Sequence, residues 1–390
     1  MFFFVLVVLK RERNQMHPSS LFSYYPTYSI LDEIMSYGNY KSINIFIDLK
    51  NNMQTVYMEH AIVNIVEMSK KSKYLDSSVF SSLVSFLTFH KMYAMKRGYN
   101  VNFYIFFEVG ESYYHKAISK QYKVSRKIDN LYGLDRQDRE LFYQVLHVNY
   151  QLIERALNKV PNVKVIRLEN LEADFIPYYL MTRNLILSDS QTVNVVYSND
   201  HDLWQCISKN CYVFSKSATS KVIIGPGSVM KRYLKKENDI LDEYLSLAMS
   251  VIGDSGDDVQ GINGIGTSRF YDLFDDLVEL CGNMNEIYDK VERNQELFSE
   301  SGEVKNKYLR TIIENEKSTN KISNNLKLVS FELISRAFDK PNNTEMIKRR
   351  EKLKKTLKED DVCSLDSLKM ALSGVGVFLE TSALDFLYLP

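Results

Sequence analysis

The chain has little cysteine, little proline, a single tryptophan, no net charge and no long apolar run. Its four cysteines, Cys206, Cys211, Cys281 and Cys363, form no Cys-x-x-Cys pair and no zinc pattern with histidine. That argues against a disulfide framework or a structural zinc site and fits a reducing compartment. Seven prolines and fifteen glycines in 390 residues argue against long disordered tracts. No apolar run reaches the ~18 residues that cross a bilayer, so stable membrane association is not expected. Met1 to Leu9 is apolar but short, and Lys10, Arg11 and Arg13 follow it rather than precede it. It reads as part of an N-terminal extension, residues 1–40, with Met16 as an alternative start and a weak membrane anchor as the other reading. Forty-nine basic residues balance forty-nine acidic ones. Nucleic acid stays open as a partner, because it responds to how charge is distributed and not to its sum.

What is present is ordinary globular material, 45% hydrophobic and 25% charged, with length enough for one large core or two. Four apolar runs read as buried strands: Ile43 to Leu49, Val101 to Val109, Val163 to Leu168 and Thr192 to Tyr197. Helical spacing lies between them, over Thr55–Met68, Ser77–Met95, Leu141–Leu157 and Leu171–Leu187. Strands alternating with helices predict an α/β fold with a mostly parallel central sheet flanked by helices. After Val213 the pattern turns helical, through Leu241–Ile252, Tyr271–Leu280, Met284–Leu297, Val304–Ile313, Leu326–Phe338 and Thr344–Leu357, with no convincing strand. A soft boundary near 215–240 separates a core, 41–240, from a helical region, 241–390. Lys348 to Lys358 is a charge run that reads as a solvated helix.

Ligands of parallel sheets gather at the carboxyl ends of the strands. Each expected strand delivers acid there: Asp48, Glu108, Glu172 with Asp174, and Asp200 with Asp202. One such aspartate would be a helix cap. Four strand ends packed together without a cation would repel, and several carboxylates would have to be protonated. A site for divalent cations resolves the conflict. Asp254 and Asp257, three apart, can add oxygen ligands of the kind Mg²⁺ and Mn²⁺ prefer. Gly261, Gly264 and Gly266 then make a turn of bare backbone before a helical pattern, a place where N–H groups can meet a phosphate. Taken alone, that stretch is equally an acidic loop and turn. Between the second and third strands, Ser112 to Lys127 mixes Tyr113, Tyr114 and Tyr122 with Lys116, Lys120, Lys123, Arg126 and Lys127. Such a mix suits single-stranded nucleic acid, with a solvated amphipathic helix as the alternative.

In order and spacing these motifs resemble the 5′-nuclease or flap endonuclease (FEN) family, over roughly Ile43 to Phe274. Ile47-Asp48-Leu49-Lys50-Asn51 is similar to Val-Asp-Gly-x-Asn, and Glu108 stands where the family has aspartate. Tyr122-Lys123-x-x-Arg126 resembles the Tyr-Lys-x-x-Arg of the family's helical arch, with His115-Lys116 replacing an upstream arginine. Glu172-Ala173-Asp174-Phe175 is similar to Glu-Ala-Asp-Asp, losing the last acid to Phe175. Ser198-Asn199-Asp200-His201-Asp202-Leu203 is closely similar to Ser-x-Asp-x-Asp-Leu, and the most specific matches are Gly253-Asp254-x-x-Asp257-Asp258 and Gly261 to Gly266, which resembles the family's helix–two-turn–helix hairpin.

The resemblance implies a PIN/FEN-like fold with an arch at about 110–160 and a helix–two-turn–helix in the helical region. It implies hydrolysis of phosphodiesters assisted by two Mg²⁺ ions, with Mn²⁺ as a substitute. The first would be held by Asp48, Glu108, Glu172 and Asp174, the second by Asp200, Asp202, Asp254 and Asp257. Lys116, Lys123 and Arg126 would act on the scissile phosphate, and Gly261, Gly264, Gly266, Lys120 and Lys127 would touch DNA, with K⁺ at the hairpin. Expected substrates are branched or 5′-flap DNA and RNA–DNA hybrid, met by a monomer in primer removal or repair in the cytoplasm of a phage- or virus-infected cell. Ser382 to Tyr388, with Leu384, Phe386 and Leu387 as anchors, resembles tails that dock on a sliding clamp; packing on the protein's own core is the equal alternative. The contrasting reading of the whole is a structure-specific DNA-binding protein without catalysis, motivated by Glu108 and Phe175.

Overall fold

The computed structural model describes residues 27–49, 66–67, 69–70, 78–125, 135–216, 221–298, 304–358, 364–373 and 388. Met16, Lys50, Asn51, Arg126, Lys127, the tail anchors Leu384, Phe386 and Leu387, and most of the helix expected over Thr55–Met68 lie outside them.

A six-stranded sheet runs in the order β3-β2-β1-β4-β5-β6. The strands are β1 (Ser42–Asp48), β2 (Asn100–Val109), β3 (Val163–Glu169), β4 (Thr192–Tyr197), β5 (Cys211–Lys216) and β6 (Lys221–Ile224). The first five are parallel and β6 is antiparallel to β5. Every residue of β1 is buried, as a central strand covered on both faces requires. The four expected strands are present; β5 and β6 are additions. β5 straddles Val213, after which the sequence pattern is expected to turn helical, and β6 is four residues that gain their backbone partners by folding back on β5.

The period-2 alternation of the strands divides the interior in two. Ile43, Ile45, Ile47, Phe103, Ile105, Val163, Val165, Val193 and Val195 face one way, into a core shared with helices Thr27–Ser36, Ser78–Arg97 and Arg136–Leu157. Phe46, Tyr104, Phe106, Ile166, Leu168, Val196 and Val213 face the other, into a core shared with the helices from Leu245 to Lys358. Asp48 belongs to this second face by its parity with Phe46.

Register is pinned by buried amides. Asn44 lies opposite Asn102 and Asn194. Asn44 Nδ2 donates to Asn194 Oδ1 (2.9 Å) and to Leu187 O (2.7 Å), and Asn102 Nδ2 donates to Asn44 Oδ1 (3.1 Å). A one-residue slip would turn these amides into apolar surroundings and break the ladder. The same register places Asp48 opposite Phe106, two residues before Glu108.

Two helices differ from expectation. The helix expected over Leu171–Leu187 is Ile176–Thr182, so Glu172 and Asp174 precede it in an irregular turn. The helix expected over Leu326–Phe338 is two, Lys321–Val329 and Phe331–Asp339, broken at Ser330. Gln205 fills the break: its Nε2 donates to Val329 O (2.9 Å) and its Oε1 accepts from Phe331 N (3.1 Å). Among the described residues, no helix is long and apolar enough to cross a membrane.

Candidate active site

The acids assemble where the strands end. Asp48, 3% exposed at the end of β1, accepts a hydrogen bond from Ser198 Oγ (3.0 Å). Ser198 Oγ in turn accepts from Asp200 N (3.1 Å), and Asp200 Oδ1 accepts from Asp202 N (3.0 Å), capping the 3₁₀ turn His201–Cys206. Asp254 accepts from Gly256 N (2.8 Å) and starts a second 3₁₀ turn, Ser255–Asp257. Asp202, Asp254 and Asp257 bring one carboxylate oxygen each within 4.8 Å of one another; Asp200, His201 and Asp202 form an overlapping group. His201 Nε2 lies 3.3 Å from Asp254 Oδ2. That hydrogen bond, with nearby aspartates, raises the imidazole's affinity for a proton against the cost of its burial.

Electrostatics ties the remaining acids together. Burial, then the charges of Asp48, Glu108 and Asp200, push the Asp174 carboxyl well above the usual carboxylate range, Lys123 opposing. Burial, then Asp200, Asp257 and Asp254, does the same to Asp202. Asp202 Oδ1 is buried and makes no hydrogen bond. A buried acid normally finds a partner. This oxygen lies among carboxylates, with His201 Nε2 3.7 Å away, and an oxygen-rich donor set of this kind fits a hard divalent cation.

A pH dependence follows. Groups whose folded pKa is raised bind protons that the unfolded chain has released, so their contribution to metal-free stability is present at low pH and lost as pH rises from the ordinary aspartate value of 3.8. A cation must displace those protons, so its binding strengthens with pH. The rise in melting temperature on adding Mg²⁺ is therefore expected to be larger at about pH 8 than at about pH 5.5, measured in paired Mg²⁺ and EDTA scans. An equal rise at both would contradict the assignment.

Glu172, expected among the ligands of the first ion with Asp48, Glu108 and Asp174, is paired with Lys123 and Tyr122. Lys123 Nζ lies 2.6 Å from Glu172 Oε1 and 3.1 Å from Asp257 Oδ2. The Tyr122 hydroxyl lies 2.8 Å from Glu172 Oε2 and 2.9 Å from Asp257 Oδ2, one proton between two carboxylates. Burial alone would raise Glu172; the Lys123 charge, with the hydrogen bonds from Lys123 and Tyr122, overrides it and holds the carboxyl down at about 2. Lys123 reaches this place because its backbone takes a left-handed turn, φ 53°, with its N–H on Asp257 O (3.0 Å). His115 stacks on Tyr122 at 4.6 Å. Its Nε2–H donates to Leu328 O (3.1 Å), so Nδ1 accepts from Ser112 Oγ (2.6 Å). Burial pushes the His115 imidazole down, toward its neutral form. The Lys116 ammonium donates to the carbonyls of Tyr122 and Lys120 and braces the loop; Lys120 itself is exposed. Ser198 and His201 have no role assigned from sequence, although both lie inside a motif carrying acids, and Tyr122 reads there as part of a nucleic-acid surface and not as a partner of carboxylates.

At the glycine turn the backbone closes on itself. A Cβ on Gly261 would lie 2.0 Å from Ile252 O and 2.7 Å from Gly253 N. Ile262 N donates to Val251 O (2.8 Å), and Gly264 takes φ 81°. Gly266 precedes helix Thr267–Cys281 with open space around it. Asn325 Nδ2 donates to Ser250 O (2.7 Å) and Gln260 O (2.9 Å), pinning the turn from below. Gly261→Ala is expected to cost about 3 kcal/mol, as overpacking against backbone, and Gly266→Ala within about 0.5 kcal/mol. Urea unfolding of the two variants checks this contrast. Phe175, at the position where the resemblance loses an acid, is 1% exposed and packs edge-on against Phe338 (5.4 Å) and Tyr179 (5.9 Å).

No family model and no curated protein matches the chain. Solved structures do. The D15 protein of bacteriophage T5, co-crystallised with metal ions, is 17% identical over 81% of this chain and 100% of that one, with a TM-score of 0.52. T5 5′-exonuclease with bound zinc is 18% identical over 84% and 99%, with a TM-score of 0.51. A variant of the T5 D15 flap endonuclease, in a pseudo-enzyme–product complex with DNA and metal ions, is 16% identical over 81% and 100%, with a TM-score of 0.50. The chain has the 5′-nuclease/flap endonuclease fold.

Proposed function

We propose that the chain is a divalent-metal-dependent 5′-nuclease that hydrolyses phosphodiester bonds in DNA or RNA–DNA. The observation that carries this reading is the convergence of Asp48, Glu108, Asp174, Asp200, Asp202, Asp254 and Asp257 on one end of the sheet, with Asp202 Oδ1 buried and without a hydrogen bond. Two groups are suggested: Asp48, Glu108 and Asp174 around one ion, and Asp202, Asp254 and Asp257 around another, with Asp200 beside both. Mg²⁺ is the expected ion and Mn²⁺ its substitute. When bound, such a pair activates water and offsets charge on the attacking and leaving oxygens.

The chain's own groups do the rest. Ser198 orients Asp48, and Tyr122 with Lys123 orients Glu172 and Asp257. In this reading the Lys123 ammonium leaves one carboxylate for the incoming phosphate, and Lys116 keeps the loop that carries it in shape. The turn from Gly261 to Gly266 would hold duplex backbone by shape and not by sequence, with K⁺ assisting. Arch residues Arg126 and Lys127, and a clamp-docking tail at Leu384, Phe386 and Leu387, belong to the same proposal. So do primer removal or repair as its setting and a monomer in the cytoplasm as its form.

Cleavage of a 5′-labelled flap and a 5′-labelled RNA–DNA hybrid, by products resolved to the nucleotide, tests it. Short products in Mg²⁺ and none in EDTA are expected, their lengths separating flap cutting from stepwise trimming. Tight binding with no products in Mg²⁺ or Mn²⁺ would favour the catalytically inactive DNA-binding protein instead.

A further inference from the structure

The helix Thr344–Lys358 packs on β3, the edge strand of the sheet, through Met346 and Leu353. Arg349 Nε donates to Glu169 O (2.6 Å), and Lys352 Nζ lies 3.8 Å from Glu169 Oε1. Both hold the carboxyl end of β3, the end at which the acids gather. Lys348, Lys352 and Lys355, at the i, i+4, i+7 spacing of one helix face, are exposed, as are Lys354 and Lys358. Lys348 is paired with exposed Glu345 (3.2 Å) and Lys352 with Glu169 (3.8 Å), surface pairs that a phosphate can replace.

One residue beyond Glu169, Asn170 O accepts from Tyr113 N (3.1 Å). Tyr113 is 65% exposed, an aromatic ring in water at the start of helix Tyr113–Ile118. A lysine stripe and an exposed aromatic thus meet at one corner of the sheet, beside the acid cluster. Lysines spaced along one helix face neutralise successive phosphates, and an exposed ring offers a base a stacking platform. The pairing suits single strands, since a duplex keeps its bases stacked on each other.

We propose that this corner is a track for the single-stranded flap of a branched substrate, with Lys348, Lys352 and Lys355 on its phosphates and Tyr113 under a base. That the strand is a flap rests on the nuclease reading; that it is single-stranded nucleic acid rests on the corner's own chemistry.

Binding measured in EDTA separates the two. Fluorescence anisotropy compares a nicked duplex without a flap with the same duplex carrying a 5′ flap of about 15 nucleotides. The triple variant Lys348→Gln, Lys352→Gln, Lys355→Gln and the single variant Tyr113→Ala are each expected to weaken flap binding about tenfold while the flapless duplex binds as before. In the triple variant the slope of log affinity against log salt should fall by about 2, at roughly 0.7 per single-strand phosphate contact. The Lys→Arg triple should restore both. Equal weakening on both substrates, or none on either, would overturn the track. Absence of cleavage in Mg²⁺ would overturn only the nuclease reading, because this comparison involves no cleavage.

Discussion

Asp202→Asn is expected to abolish Mg²⁺-dependent cleavage, by about 10³-fold or more, and yet to raise the melting temperature of the metal-free protein. Both effects have one origin. Asp202 is half-buried among Asp200, Asp254 and Asp257, and its buried Oδ1 makes no hydrogen bond, with His201 Nε2 3.7 Å away. Without a cation that arrangement is a cost, met partly by protonation. Asparagine keeps the shape and removes the charge, so the metal-free fold should gain about 1–2 kcal/mol, seen as roughly 2–5 °C. The carboxylate removed belongs to both overlapping ligand groups, the one with Asp254 and Asp257 and the one with Asp200 and His201, and losing a preorganised charge in a site of this kind costs about 10²–10³ or more in rate. Thermal scans in EDTA and in Mg²⁺ check the pair of effects together: wild type should gain from Mg²⁺, and the variant should start higher and gain little. A variant that melts lower than wild type in EDTA would mean that Asp202 has a structural partner, and would remove the reason for a metal there.

Lys123→Met is expected to act in the opposite sense on stability. The ammonium, 21% exposed, bridges Glu172 and Asp257, whose side chains are 17% and 6% exposed. Removing one member of a buried ionic group leaves the others uncompensated, at a cost of about 3 kcal/mol. Methionine keeps the apolar length of the side chain but not the ammonium, which also lies over the Tyr122 ring at 5.1 Å, so the loss is that of the charge. The pH profile gives the signature. Glu172 is held at about 2 against an ordinary value of 4.5, so its contribution is present above about pH 4.5 and disappears as pH falls towards 2. Wild type should lose that stability on acidification, and the variant should show little of this acid limb. Cleavage is expected to fall about 10²-fold, since a positive charge beside the reacting phosphate is lost. Urea midpoints across pH measure the first effect and single-turnover cleavage the second. Unchanged stability at neutral pH would show that Glu172 and Asp257 do not need this lysine.

Much of this was legible in the order of residues. The four strands announce themselves as apolar runs, and the acids at their ends are readable because parallel strands put their carboxyl ends on one side. Asp254 and Asp257 are readable as a pair because their spacing is local. What could not be read is carried by distance in the chain. Glu172 pairs with Lys123 and Tyr122, about fifty residues earlier, only because Lys123 turns through a left-handed backbone angle. The helix expected over Leu326–Phe338 breaks where Gln205, 124 residues before Val329 in the chain, donates to Val329 O and accepts from Phe331 N. β6 is invisible without β5 to pair with. Gly261 could be marked as a turn glycine, but its need comes from the Ile252 carbonyl lying against it. Phe175 marks a lost acid in the sequence; in the fold its ring fills an aromatic cluster with Tyr179 and Phe338.

The most direct test of the metal centre as a nuclease site is a pulse experiment. Protein stripped with EDTA is mixed with a 5′-labelled flap, the complex is confirmed by a gel shift, and Mg²⁺ is then added to wild type and to Asp257→Asn in parallel. Wild type is expected to convert bound flap to short labelled product within the first sampled times, and Asp257→Asn to stay bound and uncut. Cleavage before Mg²⁺ is added, full cleavage by Asp257→Asn, or a wild-type complex that stays intact in Mg²⁺ and in Mn²⁺ would each contradict the assignment of these carboxylates to a phosphodiester-cleaving metal site.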